Sequence, residues 1–254
     1  ATARNDHAEG RQPSLAQAAA GAEFLDKLPW QDGYRYVILF NEPNHAKEWG
    51  GDIDPAHCAQ ISRAYWEQLK RRSPAFFVMM AGLDQAAPNG PDTVAQEDFM
   101  HQMNEYDPYI FGLFDGWASH SYPNPGFAGS PDDIGAGSVA GYKWELELLA
   151  TMGYQNNLPV FITETGWSNK NLDETEIAEH YEQAFRDVWI KDNQVRAVTP
   201  FILSYIGRPF DEFSFKKPDG EYYAYYYALR DLAELHSGRM QYGPSVPGLL
   251  SYEN

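Results

Sequence analysis

The chain of 254 residues contains one cysteine, Cys58. No internal disulfide can form, so the fold must be held by its core. Basic residues are scarce: 19 Lys and Arg stand against 36 Asp and Glu, a formal charge of −17. That balance argues against nucleic acid, whose phosphates need a basic face, and reads as a solvated acidic surface. No stretch is apolar for long enough to span a membrane. The sequence has no signal-peptide pattern, no Asn-x-Ser/Thr acceptor, no zinc-type spacing and no P-loop. It begins at Ala1 without methionine, as after loss of a leader or an upstream segment, and leaves secreted and cytoplasmic locations both open.

What is present is a globular composition, 43% hydrophobic and 15% aromatic. That is enough to bury one core, and residues 1–254 read as a single domain. Helical and strand patterns alternate. Helices are expected at 14–28, with Ser14 as N-cap, and from Asp54-Pro55 to Ser73-Pro74, with Cys58, Ile61, Tyr65 and Leu69 on one face. Further helices are expected at 94–106, 138–152, 174–190 and 222–235, and an irregular tail at 243–254. Strands are expected at 36–41, 76–82, 111–119, 160–164 and 198–205. Their starts lie about 40 residues apart, the spacing of repeated βα units with right-handed crossovers. A closed barrel takes eight such units, and about five are countable here. The fold class is therefore α/β, an incomplete (β/α) barrel.

Two of these strands end on a glutamate: Tyr36-Val37-Ile38-Leu39-Phe40-Asn41-Glu42-Pro43 and Leu158-Pro159-Val160-Phe161-Ile162-Thr163-Glu164-Thr165-Gly166-Trp167. The C-terminal tips of parallel strands are where such folds place their chemistry, and an unpaired carboxylate on a buried strand is costly without a function. Two carboxylates facing one cavity are the minimum equipment of a glycosidase. Asn41 is placed to hydrogen-bond a sugar hydroxyl. A third strand ends in Trp117-Ala118-Ser119-His120-Ser121-Tyr122-Pro123, where period two puts His120 and Tyr122 on one face. Trp49 and Trp167 follow the two glutamates in loops and are candidates for stacking on a sugar, with core packing as the alternative. The run Tyr222-Tyr223-Ala224-Tyr225-Tyr226-Tyr227 is spread around a helix axis and reads as packing. Asp52 and Asp54 lack the repeated acidic loop of a calcium site, and Asp54 reads as a helix cap.

In this order the motifs resemble clan A of the retaining glycoside hydrolases, the (β/α)8 enzymes that include cellulases, mannanases, xylanases and β-galactosidases. In that clan an Asn-Glu pair ends the fourth strand and a second glutamate the seventh, with a tyrosine after the sixth touching the nucleophile. Asn41-Glu42-Pro43, Ser119-His120-Ser121-Tyr122-Pro123 and Ile162-Thr163-Glu164-Thr165-Gly166-Trp167 match those places. Met79-Met80-Ala81-Gly82-Leu83 resembles the fifth strand and Pro200-Phe201-Ile202-Leu203 the eighth. Phe213-Ser214-Phe215 and Pro218-Asp219-Gly220 resemble the segment beyond it. The resemblance implies a hydrolase acting on O-glycosidic, β-linked bonds with retention. Glu42 would be acid/base and Glu164 nucleophile, Asn41, His120 and Tyr122 would support them, and no cofactor or metal would be needed. It also implies that strands one to three of the clan are absent, with the arginine and histidine they carry. Tyr205 is the aromatic nearest the tryptophan that usually ends the eighth strand. The open side of such a sheet needs a cover, for which a second copy in a homo-oligomer is one candidate. The competing readings are a carbohydrate-binding pseudo-enzyme and a fragment that acts only with a missing N-terminal part.

Overall fold

The computed structural model describes residues 2–3, 12–31, 33–155 and 157–237. Its elements alternate along the chain: β1 (Thr2–Ala3), α1 (Leu15–Asp26), β2 (Arg35–Leu39), α2 (Pro55–Arg72), β3 (Phe76–Met79) and α3 (Gln96–Tyr106), then β4 (Trp117–His120), α4 (Gly141–Thr151), β5 (Val160–Thr165), α5 (Glu174–Gln183), β6 (Val195–Pro200) and α6 (Ala224–Ser237). All strand pairings are parallel, in the orders β1-β2-β3 and β4-β5-β6. Parallel bridges Met79↔Gly116 and Asp84↔His120 join the two halves. The result is an incomplete (β/α) barrel, as the spacing of the strands predicts.

The five expected strands are β2 to β6. The sequence reading contains no counterpart of β1, two residues that pair with Ile38 and Leu39 on the outer edge of β2. Two expected strands shift. Residues 110–113 form a 3-10 turn, and the strand begins only at Trp117. Beyond Pro200 the chain leaves the sheet, so β6 spans Val195–Pro200 instead of 198–205. α5 gives way to a π-type turn at Ala184–Trp189, which continues the expected apolar face with Ala184 and Trp189 buried. The expected tail at 243–254 lies outside the described residues.

Local chemistry accounts for the helix starts. Ser14 and Gln17 form a capping box on α1, and Asp173 and Glu176 form another on α5. Asp54 caps α2 ahead of Pro55 at its first turn. Cys58 is 1% exposed and packs with Ile61 and Leu69; burial pushes its thiol up to about 12, so it is core filling and not a reactive group.

Strand alternation divides the core into two layers. Val37, Leu39, Phe76, Val78, Trp117, Val160 and Ile162 point outward and pack under the helices. Phe77, Met79 and Ala118, with Tyr34, Ile38 and Phe161 against them, fill the concave face. Rings make contact across it: Tyr36 lies 5.0 Å from Phe77 and 5.5 Å from Phe161, and Phe77 lies 5.7 Å from Phe161. Tyr36 is 40% exposed, because this concave face is open on one side. An apolar groove of about 420 Å³ follows the β6 side, lined by Pro200, Leu203, Phe215, Tyr226, Leu229 and Arg230.

Candidate active site

Both glutamates reach the concave face through a departure from regular strand geometry. At the end of β2, Phe40 has φ of 66° and Glu42 φ of 40°. Such a backbone costs a residue with a side chain about 1–3 kcal/mol each and persists where the surroundings enforce it. The first irregularity turns Phe40 toward the helices, where its ring meets Trp49 and Tyr65. Glu42 is held by its amide, which donates to the Gly82 carbonyl at 3.1 Å. On β5, strict alternation would place Glu164 with Val160 and Ile162 under the helices. The register shifts instead: Ser119 pairs with Ile162, but His120 pairs with Glu164. This bulge re-aims Glu164 beside His120.

The two carboxylates meet across His120. Its Nδ1 lies 2.9 Å from Glu42 Oε1 and 3.8 Å from Glu164 Oε2. The imidazole is 4% exposed and the glutamate side chains 19% and 21%. One ligand-capable atom from each of the three residues falls within 4.8 Å of the others. The Tyr122 hydroxyl donates to Glu164 Oε2 at 3.1 Å. Burial, reinforced by the charges of Glu164 and Glu42, pushes the Tyr122 phenol up, so it remains a donor at any ordinary pH. Burial alone would lower His120, but Glu164 and Glu42, with a smaller contribution from Glu145, outweigh it and raise the imidazole to about 9.

His120 is therefore a cation in neutral solution, placed between two acids. The three side chains have the spacing of a metal-ligand set, but an imidazolium is not a ligand, and a metal would first have to displace its proton. The protonated pair also makes stability depend on pH. The imidazole of an unfolded chain titrates near 6.5, so the stabilisation is complete below that pH and is lost as pH rises through about 9. The melting temperature of the wild-type chain should fall between about pH 6.5 and 9, and His120→Gln should lose most of that fall. Parallel curves for the two proteins would refute the charge assignment.

Several neighbours carry no sequence signal. Asn44 is fully buried; its side chain donates to the carbonyls of Asp84 and Val94 at 3.0 and 3.1 Å and accepts from the Asp84 amide at 3.2 Å. It thus stitches the loop after β2 to the loop after β3. His45 Nε2 lies 2.8 Å from Asp84 Oδ2, an interaction that raises His45. Asp84 is held below its usual value by His45, although burial works the other way. Glu145 on α4 lies behind β4, fully buried, and accepts from Trp117 Nε1 at 2.9 Å and Gln96 Nε2 at 2.6 Å. Its partners lie 28 and 49 residues away in sequence, so nothing local announces the cluster.

Of the expected site residues, Glu42, Glu164, His120 and Tyr122 come together. Asn41 is half-buried next to Glu42, its Nδ2 3.5 Å from Glu48 Oε2. The two tryptophans require correction as sugar platforms. Trp49 is 0% exposed against Phe40 and His57; Trp167 is 2% exposed, packs on Tyr181 and donates from Nε1 to the Gly129 carbonyl at 2.9 Å. Both large rings complete the outer core, so neither has a free face. Tyr205 lies exposed in the segment after β6, with its ring on Phe210. Phe201, just past the end of β6, ties that strand to β5: its amide donates to the carbonyl of Thr165, the residue after Glu164, at 2.8 Å.

No protein-family model matches the sequence, and no curated protein matches it. Among solved structures, the chain is similar to a family 39 glycoside hydrolase from the gut symbiont Bacteroides cellulosilyticus WH2, with 18% identity over 87% of this chain and 44% of that one, and a TM-score of 0.61. A monomeric β-xylosidase from Caulobacter crescentus CB15 matches at 19% identity over 88% of this chain and 47% of its own, with a TM-score of 0.61. A family 128 (subgroup II) endo-β-1,3-glucanase from Sorangium cellulosum matches at 15% identity over 89% of this chain and 77% of its own, with a TM-score of 0.57. At these identities the likeness is one of fold, shared with clan A glycoside hydrolases. The chain spans less than half the length of the first two.

Proposed function

We propose that this chain hydrolyses O-glycosidic bonds, β-linked by analogy with the resembled clan, in a double displacement with retention. The observation that carries the proposal is the meeting of Glu42 and Glu164 at the tips of β2 and β5, with reactive atoms within 4.8 Å across His120. Retaining glycosidases hold their carboxyl groups about 5–5.5 Å apart, whereas inverting enzymes leave a wider gap for water. Glu164 attacks the anomeric carbon and forms a glycosyl ester, while Glu42 gives its proton to the departing oxygen. Water then enters, Glu42 takes its proton, and the ester breaks to release the sugar with its original configuration.

The other residues of the site fit these roles. Tyr122 donates to Glu164 and holds the attacking oxygen in one orientation. His120 provides positive charge against both carboxylates. Only carboxylates and water are needed.

The test is a panel of aryl β-glycosides, including xylosides, glucosides and galactosides, with the configuration of the first product read by NMR. Turnover with retention is expected, and Glu42→Gln should reduce it by about 10²–10⁴-fold, the usual contribution of a general acid. The loss should be smallest for aryl groups that leave without protonation. An inverted product, or equal loss on every leaving group, would overturn the assignment.

A further inference from the structure

Beside the glutamate pair, a second imidazole–carboxylate pair joins the loops after β2 and β3. His45 Nε2 lies 2.8 Å from Asp84 Oδ2, and the two side chains are 18% and 30% exposed. An ion pair so near solvent adds little to global stability. Its consequence is local and follows from where it stands. Glu42 has φ of 40°, a conformation that persists only where contacts enforce it. Two main-chain bonds hold it: its amide donates to the Gly82 carbonyl at 3.1 Å, and its carbonyl accepts from the His45 amide at 2.9 Å. The residue that closes the Glu42 turn is thus the one whose side chain is fastened to Asp84. Asp84 is itself fixed, because its Oδ1 accepts from the Ala86 amide at 2.8 Å and its main chain forms a parallel bridge with His120. His120 in turn touches Glu42 through Nδ1. Glu42, His45, Asp84 and His120 therefore form a closed ring of contacts.

We infer that His45 is a positioning residue for Glu42: anchored on Asp84, it closes the turn that aims the carboxyl group, and so sets how well Glu42 protonates the departing oxygen. The inference rests on the glycosidase reading and adds a residue that acts only through Glu42. The loop has other supports. Asn44 ties it to the carbonyls of Asp84 and Val94, and His45 forms an antiparallel bridge with Thr93. Loss of the imidazole should therefore slacken the aim of Glu42 and leave the fold intact.

The test compares wild type, His45→Ala and His45→Gln on aryl β-glycosides whose leaving groups span a range of acidity. Glutamine can present its Nε2 to Asp84 as histidine does, whereas alanine cannot. His45→Ala should lose about tenfold or more in kcat/KM on the poorest leaving groups, and much less on groups that depart without protonation. His45→Gln should stay within about threefold of wild type throughout. Equal loss on every leaving group, wild-type activity in His45→Ala, or no rescue by glutamine would overturn the inference. So would unfolding of His45→Ala, read by near-ultraviolet circular dichroism, which would make the role structural. If wild type cleaves no glycoside, the glycosidase reading fails alone, and positioning is read from His120 by NMR titration of nitrogen-15-labelled histidine. A slackened Glu42 should lower the titration point of His120 by about half a pH unit or more in His45→Ala, and glutamine should prevent the fall. Loss of the His45 charge acts in the opposite sense, because removal of a neighbouring cation raises an imidazole, so a fall reports the Glu42 contact. An unchanged or raised His120 in His45→Ala would overturn the inference.

Discussion

Glu164→Gln should lose turnover of every glycoside by roughly 10³-fold or more, because a neutral amide cannot form the glycosyl ester. The loss should be largely independent of leaving group, unlike that of Glu42→Gln, because no ester can form whatever group departs. The fold should survive. The replacement is nearly isosteric, Glu164 is 21% exposed, and the Tyr122 hydroxyl can still donate to the amide oxygen. Two measurements check the role. Mass spectrometry of wild type treated with a 2-deoxy-2-fluoro aryl glycoside should place the trapped sugar on Glu164. Azide added to Glu164→Gly should restore turnover and release a glycosyl azide of inverted configuration. A sugar trapped on Glu42, or full activity in Glu164→Gln, would reverse or remove the assignment.

The second large effect comes from a residue with no side chain. A Cβ placed on Gly82 would lie 2.1 Å from His120 Cδ2 and 2.5 Å from Nε2, far inside contact distance. The Gly82 carbonyl also accepts the Glu42 amide. Gly82→Ala must therefore displace the imidazole that bridges both carboxylates, or the backbone that carries Glu42. Overpacking of this kind costs about 1–3 kcal/mol of stability. The activity loss should be greater than that cost alone implies, because displacement of the reacting groups by about 1 Å can lower the rate about 10²-fold. Denaturant unfolding and kcat, measured together, separate the two effects. A variant of wild-type activity would show that the close packing of Gly82 on His120 is not needed for the chemistry.

Much of this site can be read in the sequence for a simple reason. A strand buried on both faces is a continuous apolar run, so a glutamate at its end stands out. Both glutamates, the His120–Tyr122 pair and the incomplete barrel follow from that contrast and from the spacing of the strands. Asn44, Asp84 and Glu145 escape notice because their partners are distant in sequence and their neighbours are ordinary. Trp49 and Trp167 mislead for the opposite reason: a tryptophan in a loop after a glutamate reads the same whether its ring faces solvent or fills the core. The strand expected at 111–119 begins late, because its first apolar residues cover a turn against the core.

Taken alone, the sequence determined the alternation of strands and helices and the incomplete barrel, and it singled out the two glutamates proposed as the acids, because these depend on local pattern and buried apolar area. Only the tertiary structure decided where those acids point. Period two would send Glu164 under the helices, and an ordinary strand end would not bring Glu42 to His120. The bulge on β5 and the positive φ angles at Phe40 and Glu42 bring both acids onto the concave face. Such departures are held by contacts from other elements, among them the Gly82 carbonyl and the register imposed by β4, so no reading of a single strand contains them.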